Sequence, residues 1–585
     1  MNSPRATRRR LALAVLVTMA IVGVFVIRLV DIQVVRADEL NAASLNKRAV
    51  AVTSYAARGD IVDTNGVVLA DSVMRIDLTA SPRNANEFTR VTKDRKREKV
   101  SVFKAVTEIA TITGQDPTQL LLALTKDPKS DFTYLAKSLD TEHWRKIRAL
   151  EIPWVYPQDR PTRTYPNGAV AGNIVGFVGT DGPQNGIETT ENSCLASTNG
   201  SSIYERGADG VRIPGSTVTS KAAVDGGTVK LSIDGDLQWF VQQKIAEQAM
   251  AIGAQSATGI VVRVKDGHLM AVADWPSVDP NNVDGTPVGN LGSLAFSGAY
   301  EPGSTFKGMT AAMLVDQGAA NPATQVVVPP VFTTPEGGTI RDAWYHGPLN
   351  LTLTGVLQRS SNIGISILGS RLSPAVRYDY MRKFGLGERS AVQFQGESVG
   401  ILTPGKSWDS RQKYNVSFGQ GVSATGVQIA GIYQTLANGG VRLPLTLVED
   451  CTRPDGTITD VPSTTGIRVV SKAAADTTVK MLESVVTGGE LSAQLTIPGY
   501  RVAAKTGTGE VAENGVYTSD RVVSVVGIAP AENPQYVVVV TFVKPRIMKS
   551  SAAAAPTFRQ IMTQVLKTYR VTPSTTPSPA LPTVW

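Results

Sequence analysis

One stretch decides the fold: Pro302-Gly303-Ser304-Thr305-Phe306-Lys307, followed by the apolar run Met309–Val315. Pro302 and Gly303 interrupt regular structure, and the run after them is typical of a buried helix. A helix that starts here places Ser304 and Lys307 one turn apart on the same face. Since a serine hydroxyl becomes nucleophilic when a base removes its proton, a buried lysine with a lowered pKa can activate Ser304.

The spacing Ser-x-x-Lys is a weak signal by itself. It also occurs at Ser44–Lys47, Ser101–Lys104 and Ser410–Lys413. A chance match is usually a helix cap followed by a surface lysine. The Ser304 copy differs because two further polar motifs follow it in a fixed order.

The first of these motifs is Ser360-Ser361-Asn362, inside the helix-connecting stretch GVLQRSSNIGISI. We expect Ser360 to relay a proton between Lys307 and a substrate nitrogen, and Asn362 to hold the lysine and a substrate amide. A similar triplet, Ser197-Thr198-Asn199, lies in a loop-rich segment upstream and is interpreted as a chance match.

The second motif is Lys505-Thr506-Gly507-Thr508, in a segment that can run as a strand. We expect Lys505 and Thr506 to bind a carboxylate, and the backbone N–H groups of Thr508 and Ser304 to stabilise an oxyanion. Gly507 would let an extended substrate approach closely. Lys505 is also the second cation that would lower the pKa of Lys307.

Regular patterns surround the three motifs and predict an α+β domain. The pattern predicts a strand near residue 229, a helix over Asp236–Ile252 and a hairpin over Gly259–Trp275. Near the other end it predicts two strands, Arg521–Ala529 and Gln535–Val543, and a helix over Thr557–Tyr569. We therefore expect one antiparallel sheet built from both ends of the domain, flanked by helices, with an all-helical insertion between them.

The N-terminus predicts a membrane anchor. Leu11–Ile27 contains no charge, and the apolar character continues to Val30, so residues 11–30 approach the length that spans a bilayer. Arg8, Arg9 and Arg10 precede the run, which places residues 1–10 in the cytoplasm and the bulk of the chain outside. A cleaved signal peptide is the alternative.

Charge and cysteine content limit the remaining functions. The net charge is +8, of which the four arginines before residue 11 supply half, so we do not infer nucleic-acid binding. The basic run 90–99 is interleaved with acids and is interpreted as a solvated helix face. Cys194 and Cys451 either form a disulfide or remain free thiols. The three histidines are scattered, and neither a metal site nor a cofactor is expected.

The ordered motifs resemble the serine acyl-enzyme family of penicillin-binding proteins and serine β-lactamases. Ser417–Gly421, with Thr425 and Gln428, resembles the family's stretch between the second and third motifs. The segments 58–70, 163–166 and 186–188 resemble the non-catalytic pedestal of class B penicillin-binding proteins. The resemblance covers roughly residues 28–570.

This resemblance implies a domain organisation. Residues 31–228 would form an elongated pedestal of the dimerisation type, and residues 229–570 a transpeptidase domain with Ser304, Lys307, Ser360 and Asn362 as catalytic residues. Residues 571–585, rich in Pro, Ser and Thr, have no core-forming pattern and are predicted to be a disordered tail.

The resemblance also implies an activity and partners. The protein would be a D,D-transpeptidase at the cell membrane, acting on peptidoglycan stem peptides of lipid-linked or nascent glycan and inhibited by β-lactams. Because residues 31–228 lack a glycosyltransferase's acidic motif, a multi-span membrane glycosyltransferase is the expected partner, contacting residues 11–75. Division and elongation proteins are both possible associates, and residues 28–33 and the short tail favour the division type.

Two other functions stay open at this point. A hydrolase, either a β-lactamase or a D,D-carboxypeptidase, would use the same serine, but the E-x-x-L-N string of class A β-lactamases does not occur here. A non-enzymatic β-lactam sensor or scaffold would also share the fold. Such sensors usually carry several membrane helices, whereas this chain predicts one.

Overall fold

The computed structural model describes residues 4–91, 94–179, 181–205, 213, 215–513 and 515–585. The chain forms two compact units. The first comprises Met1–Ala57 and Ser197–Asp225, and the second comprises Arg58–Ala196 and Gly226–Trp585.

Up to residue 227 the described chain contains mostly short helices and strands, numbered in chain order. They are helices α1 (Pro4–Val30), α2 (Ala37–Arg48), α3 (Val102–Thr113), α4 (Pro117–Thr125), α5 (Thr141–Arg148), α6 (Gly172–Val175), α7 (Gly186–Thr190) and α8 (Asn192–Leu195), and strands β1 (Ala49–Ser54), β2 (Ile61–Val62), β3 (Val68–Ala80), β4 (Phe88–Val91), β5 (Arg97–Val100), β6 (Thr133–Leu139), β7 (Val155–Thr164), β8 (Val178–Gly179), β9 (Gly182–Pro183), β10 (Gly200–Glu205) and β11 (Val218–Lys221).

From residue 228 onward many elements are more deeply buried. They are helices α9 (Gly235–Ile252), α10 (Leu294–Ser297), α11 (Lys307–Asp316), α12 (Leu353–Arg359), α13 (Asn362–Gly369), α14 (Pro374–Lys383), α15 (Gln412–Asn415), α16 (Gly426–Ala437), α17 (Lys472–Gly488), α18 (Ser492–Leu495) and α19 (Ala555–Thr568), and strands β12 (Thr228–Leu231), β13 (Ser256–Arg263), β14 (Leu269–Trp275), β15 (Gln325–Val328), β16 (Phe332–Thr333), β17 (Thr339–Ile340), β18 (Leu349–Thr352), β19 (Val441–Arg442), β20 (Val448–Thr452), β21 (Ile458–Thr459), β22 (Ile467–Arg468), β23 (Ala503–Glu513), β24 (Val516–Ala529) and β25 (Tyr536–Val543).

The first unit contains one apolar helix and a small sheet. Within the described residues, Thr7–Val35 is the one helix long and apolar enough to cross a membrane, with a mean hydropathy of 2.7 and no part of it buried by protein. Its apolar side chains face all directions, which suits burial in lipid. Strands β1, β10 and β11 then pair antiparallel in that order.

A mixed sheet joins three distant parts of the second unit. Its order is β21-β20-β12-β2-β3-β6, with β7 also paired to β3. Strand β12 runs parallel to β2 and antiparallel to β20. The predicted boundary at residues 228 and 229 therefore falls inside a strand, and the proposed domain limits stay a prediction.

A buried carboxylate ties this region together. The Glu188 side chain is fully buried and accepts hydrogen bonds from Arg58 Nε and Arg163 Nε, each at 2.6 Å. Arg163 Nη1 also donates to the Gly59 carbonyl at 2.7 Å. The three segments that resembled a pedestal in the sequence thus meet at one ion-paired cluster.

The main sheet of the second unit is fully antiparallel, in the order β14-β13-β25-β24-β23. Helices α9 and α19 cover one face, where Val538 and Val540 are buried. Val537 and Val539 point to the other face and join the core that contains α11 and α16. Because β25 is buried on both faces, its sequence is a nearly continuous apolar run. The α+β expectation is confirmed, and the mostly helical insertion also carries short two-stranded pairs.

The prediction of a disordered tail at residues 571–585 is wrong. Ser574 N donates to the Gly499 carbonyl at 2.9 Å, and Thr352 N donates to the Thr583 carbonyl at 3.1 Å. Leu581 packs against the core. A proline-rich segment lacks periodicity, but its extended backbone still presents carbonyl and N–H groups that a folded surface can pair.

The helix expected over residues 90–99 is also wrong. Strands β4 and β5 form a hairpin there, with Phe88 opposite Val100, while Thr92 and Lys93 lie outside the described residues. Arg90 is paired with Glu98 and with Glu108, the latter on α3. Charges of opposite sign therefore face each other across strands instead of lying along a helix.

The cysteine pairing left open by the sequence is settled by a disulfide. Cys194 on α8 bonds Cys451 on β20, with an S–S distance of 1.99 Å. The segment 189–202, which had the composition of an inserted loop, contains α8 and the start of β10. The disulfide connects residues 257 positions apart within the second unit.

Candidate active site

The turn before α11 positions Ser304. Residues Gly303–Phe306 form a 3₁₀ turn, so the α-helix begins at Lys307 instead of at the serine. Gly303 has φ +56°, and a Cβ there would lie 2.7 Å from the Thr508 carbonyl oxygen. Gly303 N donates to the Gly419 carbonyl at 3.1 Å. Only glycine fits this close approach. It brings the turn Gly303–Phe306, which we call the nucleophile turn after the predicted role of Ser304, against strand β23.

Lys307 is fully buried and its amine lies 2.9 Å from Ser304 Oγ. It also contacts the Ser360 carbonyl oxygen at very short range and Asn362 Oδ1 at 2.7 Å. Both of these oxygens can only accept hydrogen bonds. A neutral amine would therefore direct its two N–H groups at them and leave its lone pair for the Ser304 hydroxyl.

Ser360 lies between the two lysines of the site. It follows the last residue of α12 with φ +58°, a left-handed conformation that is uncommon for a serine, and its carbonyl contacts Lys307. Its hydroxyl lies 3.3 Å from Lys307 Nζ and 2.9 Å from Lys505 Nζ. A hydroxyl in this place can both accept and donate a proton, as a relay requires.

Burial lowers the pKa of both lysines, and Lys307 is also affected by neighbouring charges. Burial lowers the pKa of Lys505 to about 7. Burial, and then the nearby charge of Lys505, hold the pKa of Lys307 well below its ordinary value, while Asp342 acts in the opposite direction. Lys307 is thereby suited to accept a proton near neutral pH.

Strand β23 carries the third motif at the edge of the main sheet. Lys505 faces the two serine motifs, and its amine also lies 3.4 Å from Thr506 Oγ1. Thr508 is exposed and lies beside Gly303, next to the nucleophile turn. An edge strand has unpaired backbone groups that can pair with an extended peptide.

Gly507 has a packing role that the sequence did not suggest, and its predicted role toward substrate stays a prediction. A Cβ at this position would lie 2.5 Å from Ser524 Oγ and 2.9 Å from Thr305 Cγ2. The close approach that excludes a side chain is thus made by the nucleophile turn and the neighbouring strand. Gly507 allows β23 to pack on the turn that carries Ser304.

All eight site residues predicted from the sequence lie at or beside this cluster, and two of the stray motif copies have plain structural roles. Ser101 is a helix cap whose Oγ accepts from Lys104 N at 3.2 Å. Asn199 accepts from Ala56 N, and Ser197 donates to the Ala56 carbonyl. These are the local roles that chance matches usually have.

Sequence reasoning missed one residue of the site, Asp342. Its side chain is fully buried and contacts Ser361, Asn362 and His346. It lies between β17 and β18, and no local pattern distinguishes it from an ordinary loop aspartate. Its position could be found only from the packing of the segment against α13.

Two family models match the chain. The penicillin-binding protein transpeptidase domain matches residues 257–563, and the penicillin-binding protein dimerisation domain matches residues 53–231. The first match contains all three motifs, and the second contains the Arg58–Glu188–Arg163 cluster.

Curated relatives extend the likeness over nearly the whole chain. Penicillin-binding protein PbpB of Mycolicibacterium smegmatis is 34% identical, over 97% of this chain and 91% of the relative. Peptidoglycan D,D-transpeptidase FtsI of Escherichia coli K12 is 30% identical, over 88% of this chain and 84% of the relative.

Solved structures share the fold. A peptidoglycan synthetase from Bifidobacterium adolescentis has a TM-score of 0.73 and 30% identity, over 92% of this chain and 100% of that one. Penicillin-binding protein 3 from Mycobacterium tuberculosis, complexed with aztreonam, has a TM-score of 0.69 and 28% identity, over 91% of this chain and 100% of that one.

Proposed function

This chain belongs to the class B penicillin-binding proteins, and we propose that it is a peptidoglycan D,D-transpeptidase that forms its acyl-enzyme on Ser304. The observation that carries the assignment of Ser304 is the Lys307 amine, buried and 2.9 Å from the serine hydroxyl, with two acceptor oxygens on its other sides.

Acylation begins with a proton transfer from Ser304 Oγ to the neutral amine of Lys307. The oxygen attacks the carbonyl carbon of the penultimate D-alanine of a donor stem peptide and forms a tetrahedral intermediate. The backbone N–H groups of Ser304 and Thr508 stabilise its oxyanion. When the intermediate collapses, the peptide bond breaks and the terminal D-alanine leaves with a proton relayed through the Ser360 hydroxyl.

Substrate binding uses the edge of β23. The donor peptide lies as an extended strand beside it, and its terminal carboxylate binds Lys505 and Thr506. Asn362 holds both Lys307 and the amide of the substrate. A β-lactam presents a carboxylate and a reactive amide with similar spacing, so it acylates the same serine and inhibits the enzyme.

Deacylation reverses the proton path. An amine from a neighbouring stem peptide loses a proton through Ser360 to Lys307 and attacks the acyl-enzyme carbonyl. A new amide bond forms and Ser304 leaves, taking its proton from Lys307. Since one amide is exchanged for another, the reaction needs no nucleotide to drive it.

Labelling with fluorescent penicillin tests the assignment of Ser304. The full chain in detergent is treated with the probe, and peptide mass spectrometry locates the adduct. We expect one stable adduct on Ser304 and none in Ser304→Ala. An adduct on another residue, or labelling of Ser304→Ala, would contradict the proposal.

A second measurement distinguishes transfer from hydrolysis. The protein is supplied with a donor stem peptide and an amine acceptor, and the products are separated by mass. A cross-linked product that increases with acceptor concentration supports a transpeptidase. Release of D-alanine with water as the sole acceptor would favour a carboxypeptidase instead.

We also propose the topology of the chain in the membrane. The helix Thr7–Val35 would cross the membrane once, with the arginines at its start in the cytoplasm and the catalytic residues outside. Cysteine labelling with a membrane-impermeant reagent tests this orientation. A cysteine placed at Ser3 should react only after permeabilisation, and one placed at the exposed Asn350 should react in intact cells.

A multi-span membrane glycosyltransferase is the partner that we propose for glycan polymerisation, with the contact in residues 11–75. Whether the pair acts in division or in elongation is tested by localising a fluorescent fusion. Concentration at the septum would support the division role that the sequence favours, and a distribution along the side wall would contradict it.

A further inference from the structure

The start of α13 carries Ser361 and Asn362 into the site, and one buried carboxylate holds it there. Asp342 Oδ1 accepts from Ile363 N at 3.0 Å and from Asn362 N at short range. Asp342 Oδ2 accepts from Ser361 Oγ at 2.7 Å. These backbone N–H groups belong to the first turn of the helix and have no partner within it.

The segment around Asp342 also fixes the orientation of the Asn362 amide. Asn362 Nδ2 donates to the Arg341 carbonyl at 3.2 Å, which leaves Oδ1 facing Lys307. On its outer side, Asp342 Oδ2 lies 3.1 Å from Nε2 of the largely buried His346 ring. His346 Nδ1 in turn contacts the Gly347 carbonyl. Asp342 thus contacts His346 on one side, and on the other side it binds the residues of the second motif.

Asp342 also contributes charge. Within the described chain, the charged groups that act on Lys307 are Lys505, on β23, and Asp342, on the segment between β17 and β18. Ser304, Ser360 and Asn362, which touch the amine, are neutral. The negative charge of Asp342 raises the pKa of Lys307, and it therefore limits the lowering that burial and Lys505 produce.

We propose that Asp342 is a positioning residue of the acyl-transfer reaction, which sets both the place of Asn362 and the protonation of Lys307. This inference rests on the proposed function, because it assigns Asp342 to the acylation of Ser304. It predicts that Asp342 affects the pH dependence of acylation, which a helix cap of purely structural importance would not do.

The chain offers a matched control in Asp409. This exposed aspartate precedes α15 and binds backbone N–H groups in a similar way, accepting from Arg411 N at 2.8 Å and from Gln412 N at 2.7 Å. Removing its charge weakens these bonds without changing the surroundings of Lys307. Asp342→Asn keeps an oxygen for the two backbone N–H groups, and it removes the charge together with the oxygen that faces Ser361 and His346.

The experiment measures the second-order rate constant of acylation by a chromogenic cephalosporin as a function of pH, from mildly acidic to mildly alkaline. Wild type, Asp342→Asn, Asp342→Ala and Asp409→Asn are compared as full chains. Without the negative charge the pKa of Lys307 falls further, so the neutral amine persists to lower pH. We therefore expect the acid limb of the profile of Asp342→Asn to shift to lower pH.

The sizes of the rates separate the two roles of Asp342. We expect the plateau of the acylation rate constant to be about 100-fold lower in Asp342→Ala, because misplacing a catalytic group by about 1 Å costs about that factor. In Asp342→Asn, which keeps one acceptor oxygen, we expect a plateau about tenfold lower. Asp409→Asn should match wild type in rate and pH profile.

Different failures are distinguishable. If Asp342→Asn matches wild type in rate and profile, Asp342 is only a cap and the inference is wrong. If Asp342→Ala does not fold, the rate and pH profile of Asp342→Asn still test the inference. If wild type and Asp409→Asn fail to acylate at Ser304, the proposed function itself is wrong, whatever Asp342 does.

Discussion

At the scale of single residues, the site depends on two lysines whose pKa values are lowered by burial. In the proposed mechanism, Lys307 needs a low pKa to act as a base, whereas Lys505 needs its charge to bind a carboxylate. The amine of Lys307 is surrounded by acceptor oxygens and a hydroxyl, and that of Lys505 by the Ser360 and Thr506 oxygens. Burial thus lowers the pKa of both lysines. This suits Lys307 as the proposed base, and it lets Lys505, the proposed carboxylate-binding cation, titrate near neutral pH.

We predict that Lys307→Ala lowers the acylation rate by about 10²- to 10⁴-fold, because Ser304 loses its general base. Stopped-flow acylation with a chromogenic cephalosporin measures this. Lys413→Ala is the control, since Lys413 also follows a serine by three residues but is partly exposed and forms a long ion pair with Glu336 at 3.6 Å. A normal rate in Lys307→Ala would mean that another group is the base.

We predict that Lys505→Met stabilises the fold near neutral pH and impairs acylation. The pKa of Lys505 is about 7 in the folded protein, against an ordinary value of 10.5. Between those two pH values the unfolded chain therefore binds more protons than the folded protein. The free energy of unfolding of wild type consequently rises with pH in this window. The variant lacks this dependence.

Denaturant unfolding at several pH values tests the prediction for Lys505. Lys505→Met should exceed wild type by about 1–3 kcal/mol near neutral pH, and the difference should narrow as the pH rises toward the ordinary lysine pKa. Acylation by a carboxylate-bearing β-lactam should fall at least about tenfold. A variant that is less stable than wild type at neutral pH would contradict this account of the buried charge.

We predict that Glu188→Gln destabilises the second unit by about 3–5 kcal/mol, because it leaves two largely buried arginines without their counter-charge. Thermal unfolding followed by circular dichroism measures the loss. Glu142→Gln removes an exposed ion pair with Lys146 and should change stability by less than about 0.5 kcal/mol. Equal effects from the two substitutions would show that burial is not the deciding factor.

At the scale of elements, patterns with a strong period were predicted correctly. Helices α9 and α19 and the hairpin β13–β14 match the expected ranges within a few residues. The helix expected over residues 90–99 failed because charged residues indicate solvent exposure but carry no period that separates a helix from an exposed hairpin.

The disulfide between α8 and β20 is the covalent link at this scale. We predict that Cys194→Ser combined with Cys451→Ser lowers the free energy of unfolding by about 2–5 kcal/mol, because the unfolded chain gains the freedom of a long loop. Denaturant unfolding measures this, and Ser197→Ala, which changes a neighbouring hydroxyl, is the control. Unchanged stability would show that the bond does not constrain the unfolded state.

At the scale of the whole molecule, residues 571–585 connect distant parts of the second unit. The tail binds the backbone at Gly499, just before β23, and then the backbone of β18. A Cβ at Gly355 would lie 1.8 Å from the Thr583 carbonyl oxygen, which shows how closely the tail packs on α12. The same helix ends directly before Ser360.

We predict that deleting residues 577–585 lowers the free energy of unfolding by about 2–4 kcal/mol, since several backbone hydrogen bonds and the packing of Leu581 are lost. Denaturant unfolding measures the loss, with Val584→Ala, an exposed side chain, as the control. In the intact protein, limited proteolysis should leave the tail uncut. Rapid cleavage there would contradict the packed tail.

The sequence by itself determined the class of fold and predicted the chemistry. The spacing of Ser304 and Lys307 is local, so one helical turn is enough to bring them together. The alternating and 3.6-residue patterns are local as well, and they predicted most of the main sheet and its covering helices. The roles of the site residues remain predictions until acylation is measured.

Only the tertiary structure decided which distant residues meet. Ser360 contacts Lys307 because α12 packs beside α11, and Lys505 contacts Ser360 because β23 packs on the turn of residues 303–306. Asp342 likewise reaches Asn362 from a segment distant in sequence. The disulfide, the role of Gly507 and the bound tail also depend on contacts between segments far apart in sequence. Such contacts depend on how whole elements fill a shared core, and no local pattern of side chains encodes that.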